Sequence, residues 1–244
     1  MPLFTDGPIS SIEDLRGHDT QLLEVANMEH IDVTRKLAQA QEEVAIDLAV
    51  MLSRITLPAR IANVVVTPPL KLWHTFRSLE KVYRDAFNSQ LNDRYAGKRD
   101  EYHEMAKWAH ERVMQSGVGM TADPIPQAPT PTVQAAPGGV ANGTYYVSTA
   151  WTNARGEEGA SSIPATITVA GSSFEVLHGA APGNAKGWHV YVGSSPQGLL
   201  RQDGAVLALG VAWRQTDTLA AGRLAGTGQA VGFVQAVPRL MHRG

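Results

Sequence analysis

Apolar residues in the first half of the chain return every three or four positions. Val33, Leu37, Ala40, Val44, Leu48, Met51, Leu52 and Ile55 keep that step long enough to predict one extended amphipathic helix, capped by Asp32 and ended by Pro58. Upstream, Ser10-Ser11-Ile12-Glu13 fits a capping box with Ser10 at the cap, opening a short helix that stops near Gly17. Asp19 or Thr20 then caps a second short helix carrying Leu22, Leu23, Val25 and Ala26. Ile61 to Val66 is a short stretch rich in β-branched residues, between prolines, and forms either a brief strand or an extended loop.

The strongest periodic stretch runs from Thr67 to Gly117. Thr67 is a cap, and Pro68-Pro69 sit where a missing N–H costs nothing. Trp73, Phe76, Tyr83 and Phe87 share one helical face, with Arg77, Glu80, Lys81, Arg84 and Asp85 as a charged opposite side. A break at Ala96-Gly97 precedes a second helix, Arg99 to Ser116, whose stripe is Tyr102, Met105, Ala106, Ala109 and Val113. Gly117 stands at the C-cap position. The expected unit is an αα-hairpin with an aromatic seam.

Beyond it the period changes from helical to two. Tyr145, Val147, Thr149 and Trp151 alternate with Tyr146, Ser148 and Ala150, and Asn153–Gly159 reads as a turn. Ala165–Val169, Phe174–Leu177, Gly187–Val192, Leu199–Gln202 and Val211–Gln215 are further strand candidates separated by Gly, Pro, Ser or Asp. Short strands at close spacing predict an antiparallel sandwich. The fold class is therefore α+β as two separate domains, a helical bundle followed by an immunoglobulin-like β-sandwich and an extended C-terminal tail. The expected limits are 1–120 for the helical domain, 121–139 for a proline-rich linker, 140–221 for the sandwich and 222–244 for the tail.

Composition narrows the function. A formal charge of −2 argues against a dedicated nucleic-acid binder. Residues 1–117 hold 14 Lys+Arg and 17 Asp+Glu, against 7 and 6 in 118–244, so the charge belongs to the helical half. Cysteine is absent, which excludes disulfides and thiolate metal sites. No apolar run reaches the ~20 residues of a membrane helix, and Met1-Pro-Leu-Phe does not begin a secretion signal, so assembly in a cytoplasm without membrane contact is expected.

Local motifs for chemistry are weak. His103-Glu104-Met105-Ala106-Lys107 starts like a zincin helix, but its fifth residue is lysine, and His103 with His110 leaves a zinc ion short of a third ligand. Gly117-Val-Gly-Met follows a helix where a dinucleotide fingerprint needs a strand; a cap with a flexible exit accounts for it. Asn142-Gly-Thr144 reads as a turn, and the pairs Glu42-Glu43 and Glu157-Glu158 point apart. No catalytic residue, cofactor or metal is expected, and the chain is not read as an enzyme. The one candidate contact is the tail. Phe233, Val237, Leu240 and Met241 are apolar, neighbour basic residues and have no core of their own, which suits them to a partner surface. Such a segment has too little apolar area to order by itself.

The order of parts in the first 120 residues resembles the head–tail adaptor (neck or connector) proteins of tailed bacteriophages. The residues that carry this are the Ser11-Ile-Glu-Asp-Leu helix, Leu22-Leu-Glu-Val-Ala, Ile31-Asp-Val-Thr-Arg-Lys-Leu, Thr67-Pro-Pro-Leu-Lys-Leu-Trp-His-Thr-Phe-Arg, the joint Gln90-Leu-Asn-Asp-Arg-Tyr-Ala-Gly-Lys-Arg, and Tyr102 to Trp108. Residues 133–220 resemble the immunoglobulin or fibronectin type III-like modules appended to phage virion proteins. Tyr145-x-Val-x-Thr-x-Trp-x-Asn153-x-x-Gly156 is similar to a late fibronectin strand and Gly187-Trp-His-Val-Tyr-Val-Gly193 to an earlier one, here in reversed order.

The resemblance implies a structural virion protein of the neck, a homo-oligomeric ring of about twelve between the portal and the tail. Its implied partners are copies of itself, the portal protein and tail or tail-terminator proteins, with DNA passing only through the lumen. Arms of such proteins dock on the neighbouring ring, which makes 226–244 a candidate portal contact. A second expectation, from a different class, is a surface- or carbohydrate-binding sandwich on a helical stem, with Trp151, Trp188 or Trp213 stacking on sugars. Trp151 and Trp188 share faces with Val147, Val190 and Val192, which favours core positions for both.

Overall fold

A computed structural model describes residues 2–55, 60–90, 93–216, 218–225 and 229–235. Among these residues five α-helices come first and antiparallel sheets follow, an α+β fold. The chain divides into two compact units, Gly7–Met120 with Val231–Gly244, and Met1–Asp6 with Thr121–Ala230. Each is therefore assembled from separated stretches of sequence.

In the helical unit α1 (Ile12–Arg16), α2 (Leu22–Met28), α3 (Val33–Leu52) and α5 (Ala96–Ser116) surround α4 (Pro68–Gln90). Ser11 rather than Ser10 caps α1, and its box partner is Asp14. Ser10 instead turns inward to Thr75 and His74 of α4. Asp32 caps α3 as expected, its carboxylate accepting from the Arg35 N–H at 3.1 Å, and the helix ends at Leu52; Pro58 lies outside the described residues. α2 begins after Gln21, which makes no side-chain cap bond; Asp19 stands further out, its Oδ1 accepting from the Gln21 N–H at 2.9 Å. α5 starts at Ala96, so Gly97 lies in its first turn rather than in a break.

α4 is buried nearly all round. Trp73, Phe76 and Tyr83 line its apolar face as read, but Glu80 and Lys81, expected on a solvated side, are only 5% and 4% exposed. Their charges are met inside the unit. Lys81 Nζ reaches Glu43 Oε1 of α3 at 2.5 Å, and Arg77 bridges Glu43 and Glu80 at 2.6 and 2.5 Å. His74, fully enclosed, has Nε2 3.1 Å from the Leu37 carbonyl and Nδ1 3.0 Å from Ser10 Oγ. The carbonyl can only accept, so Nε2 carries the proton and Nδ1 accepts from the serine. Burial holds His74 below the usual imidazole range.

Two short strands complete this unit. Val118–Met120 (β1) pairs antiparallel with Gly232–Val234 (β9), with Val118 opposite Val234 and Met120 opposite Gly232. Gly117, at φ +88°, turns the chain from α5 into β1. What reads in sequence as a cap and flexible exit is thus a cap and a strand. Ile61–Asn63 is a short 3-10 turn, and Val64 bridges to Met120.

The other unit is a sandwich. One sheet has the order β4 (Ala165–Val169), β3 (Gly143–Thr152), β6 (Gly187–Gly193), β7 (Leu200–Arg201); the second has β2 (Thr132–Ala136), β5 (Ser173–Leu177), β8 (Trp213–Arg214). Val147, Trp151, Trp188, Val190 and Val192 of the first pack against Phe174 and Val176 of the second. Tyr145 donates its hydroxyl to the Ala141 carbonyl at 2.7 Å, as a tyrosine does at the corner of immunoglobulin-like sandwiches. The composition of residues 121–139 suggests a connector, yet they supply strand β2, and Ile125 and Ala128 are in the sandwich core. Gln229, in the Gly/Ala-rich stretch read as tail, is also held there: its amide accepts from the Ile125 N–H and donates to the Ile125 carbonyl.

Candidate interaction surfaces

The candidate contact begins at β9. Phe233 is 60% exposed on that strand, whereas Val237, Leu240 and Met241 lie outside the described residues. Pairing with β1 gives Phe233 a fixed seat, so the tail is not wholly orphaned as its composition suggests. Gly119 makes the pairing possible. A Cβ there would stand 2.6 Å from Thr67 Cγ2 and 2.8 Å from Val231 Cγ1, so only glycine lets β1, β9 and the start of α4 meet.

Beside this corner the first turns of α4 and the last two turns of α5 leave a groove of about 750 Å³. Pro68, Pro69 and Leu72 form one wall; Trp108, Ala109, Arg112, Gln115 and Ser116 form the other. These α5 positions recur at helical steps on one face, continuing the stripe through Ala109 but turning outward at Trp108. Trp108 is 46% exposed, with the Arg112 guanidinium 5.6 Å over its ring. Sequence periodicity passes over Trp108 because it flanks the stripe rather than filling it.

A second apolar surface lies on α3. Ile46 and Val50, one turn apart, are 63% and 47% exposed, whereas the other large apolar side chains of the helix are buried. The buried stripe Val33, Leu37, Ala40, Val44, Leu48 and Met51 is the face the sequence predicts; Ile46 and Val50 lie off it.

In the sandwich, Trp151 and Trp188 pair across β3 and β6 and are 1% and 0% exposed, leaving no face for a sugar. The His178 ring stands edge-on to both, with ring centroids 5.1 and 5.2 Å away. Trp213 is half-buried against Phe174. The polar clusters of this unit are closed on themselves. Asp203 has a fully enclosed carboxylate held by His189 Nδ1 at 2.7 Å, the Val190 N–H at 2.9 Å and Arg201 Nε at 3.0 Å. Glu158 accepts from the Tyr191 hydroxyl and from Arg223.

Asp19 of the helical unit accepts from Tyr83 at 2.6 Å and Tyr102 at 3.0 Å. Burial, with the adjacent carboxylate, pushes both phenols well above the ordinary tyrosine range. Each of these groups spends its bonds on protein partners, which is the pattern of structural clusters. His103 reaches Glu80 at 3.2 Å and His110 packs on Trp73, so the two histidines serve different contacts. Among the described residues no three His, Asp or Glu groups converge as a metal would require, and no helix is long and apolar enough to cross a membrane.

Compared with protein-family models, with curated proteins and with solved structures, the chain shows no match.

Proposed function

We propose that this protein is a structural virion component, a head–tail adaptor whose helical unit closes into a homo-oligomeric ring between portal and tail, with the sandwich as a module inserted in its sequence. The observation that carries the reading is the exposed Ile46/Val50 pair on α3, two large apolar side chains that stand off the buried stripe of that helix. A ring needs a heterologous contact, one surface meeting a different surface on the next copy, and an exposed apolar row on a rigid helix suits one half of it. The order of helices that resembles phage adaptors supplies the rest of the argument. In this reading the chain beyond β9 is an arm whose Val237, Leu240 and Met241, with the exposed Phe233 of β9 beside them, bury apolar area on the portal.

The test is the mass of the assembled particle, by native mass spectrometry and light scattering. A closed ring of about twelve is expected, and Ile46→Asp with Val50→Asp should reduce it to monomers that keep their helical circular dichroism. A chain that stays monomeric at every concentration would refute the ring. Portal attachment is tested by cutting after Gln235 rather than further upstream, since β9 belongs to the helical unit. Rings of that variant should form but bind isolated portal weakly.

A further inference from the structure

Antiparallel pairing fixes the direction in which the chain leaves β9. Gly232 lies opposite Met120 and Val234 opposite Val118, so the strand runs back towards the C-terminal end of α5. Gln235 continues on that heading: its side-chain amide donates to the main-chain carbonyl of Gln115 in the last turn of the helix. Gln115 is itself a wall residue of the α4–α5 groove, and Arg112, Ala109 and Trp108 follow it back along the helix. The chain is thus delivered to the groove's rim by its own strand.

Residues 236–244 read Ala-Val-Pro-Arg-Leu-Met-His-Arg-Gly. Six residues in extended form cover about 20 Å, whereas Gln115 and Trp108 are separated by about 10 Å of helix, so length is sufficient. The chemistry also fits. Leu72, Pro69, Ala109 and the Trp108 ring offer apolar surface of the kind Val237, Leu240 and Met241 would cover. No carboxylate lines the groove among the described residues, so a segment bound there would keep basic side chains such as Arg239, His242 and Arg243 at its edge.

We infer that the groove between the start of α4 and the end of α5 is a peptide-binding site whose occupant is segment 236–244 of the same chain. The anchor at Gln235 decides between this copy and another. A ligand tethered one residue from its site has an effective concentration in the millimolar range, far above that of a second copy in dilute solution. Even a weak intrinsic affinity is then enough to fill the groove. The inference stands on the helical unit alone. If the adaptor reading also holds, the arm rests on its own subunit until a portal surface competes for it.

The experiment uses the full chain, a chain cut after Gln235, and a fluorescent synthetic peptide of residues 236–244. The peptide should bind the shortened chain saturably and the full chain at least about tenfold more weakly, because there the tether already holds the site. Leu72→Asp in the shortened chain should abolish binding, and Val237→Ser with Leu240→Ser and Met241→Ser in the full chain should open the groove to the peptide. Acrylamide quenching of Trp108, the most exposed of the tryptophans, should increase by about twofold on shortening, read against a Trp108→Phe control. Equal binding to both chains, binding to neither, or insensitivity to Leu72→Asp would overturn the proposal. So would blockage that fades when the full chain is diluted a hundredfold, which would assign the occupant to a second copy. All of these are read on isolated protein, so failure here is separable from failure of portal attachment.

Discussion

Asp203 shows what a single side chain can settle. Burial works against its charge, and the bonds from His189, the Val190 N–H and Arg201 outweigh that, holding its carboxyl below the usual aspartate value of 3.8. A folded-state pKa below the unfolded one means the stabilisation is complete above pH 3.8 and is lost as pH falls through the lower folded value. Asp203→Asn should therefore cost on the order of 3 kcal/mol at pH 7 and progressively less as acid removes the same charge from the parent. Urea unfolding of both proteins at pH 7 and pH 3 checks this, and a gap that stays constant with pH would refute it. Nothing in the sequence marks Asp203, because its partners are brought beside it by the pairing of β6 and the loop after β7. Asp19 is the parallel case. It has the look of a helix cap, and its Oδ1 does accept from the Gln21 N–H ahead of α2, but its Oδ2 is claimed by two phenols distant in sequence.

Elements were legible in proportion to their length. α3 and α4 announce themselves through a helical step maintained over many residues, and β3 and β6 through alternation that tertiary packing respects. β1 and β9 are three residues each and could not be read. Each is defined only by the other, and they lie more than a hundred residues apart in sequence. The charged side of α4 misled for a related reason. Amphipathic periodicity assigns Glu80 and Lys81 to water, whereas α3 brings Glu43 against Lys81 and Arg77. Gly119→Val tests the strand pair directly. Its side chain would collide with Thr67 and Val231, so β9 should separate from β1 while the helices persist. Hydrogen exchange at Val118–Met120 should accelerate at least about tenfold with helical circular dichroism unchanged, and undisturbed protection would show that the strands accommodate the branch.

At the scale of the molecule, the sandwich is an insertion between two adjacent strands. Thr121–Ala230 leaves the helical unit at the end of β1 and returns at the start of β9, where Met120 and Gly232 already face each other. Replacing 121–231 by an Asn-Gly turn should therefore close an ordinary hairpin and leave a helical unit that folds and assembles. Circular dichroism, a cooperative thermal melt and the particle mass are the readouts; loss of assembly from a folded product would make the sandwich part of the ring. Composition suggested two halves in series, and it cannot reveal that a chain comes back.

The return also has a mechanical consequence. The paths into and out of the insertion sit side by side at one end of the β1–β9 pair. A pull on the insertion would draw on both strands from that end and part their hydrogen bonds one after another, as a zip is opened, instead of loading them together in shear. The pair would act as a fuse, yielding before tension reaches α4 and α5.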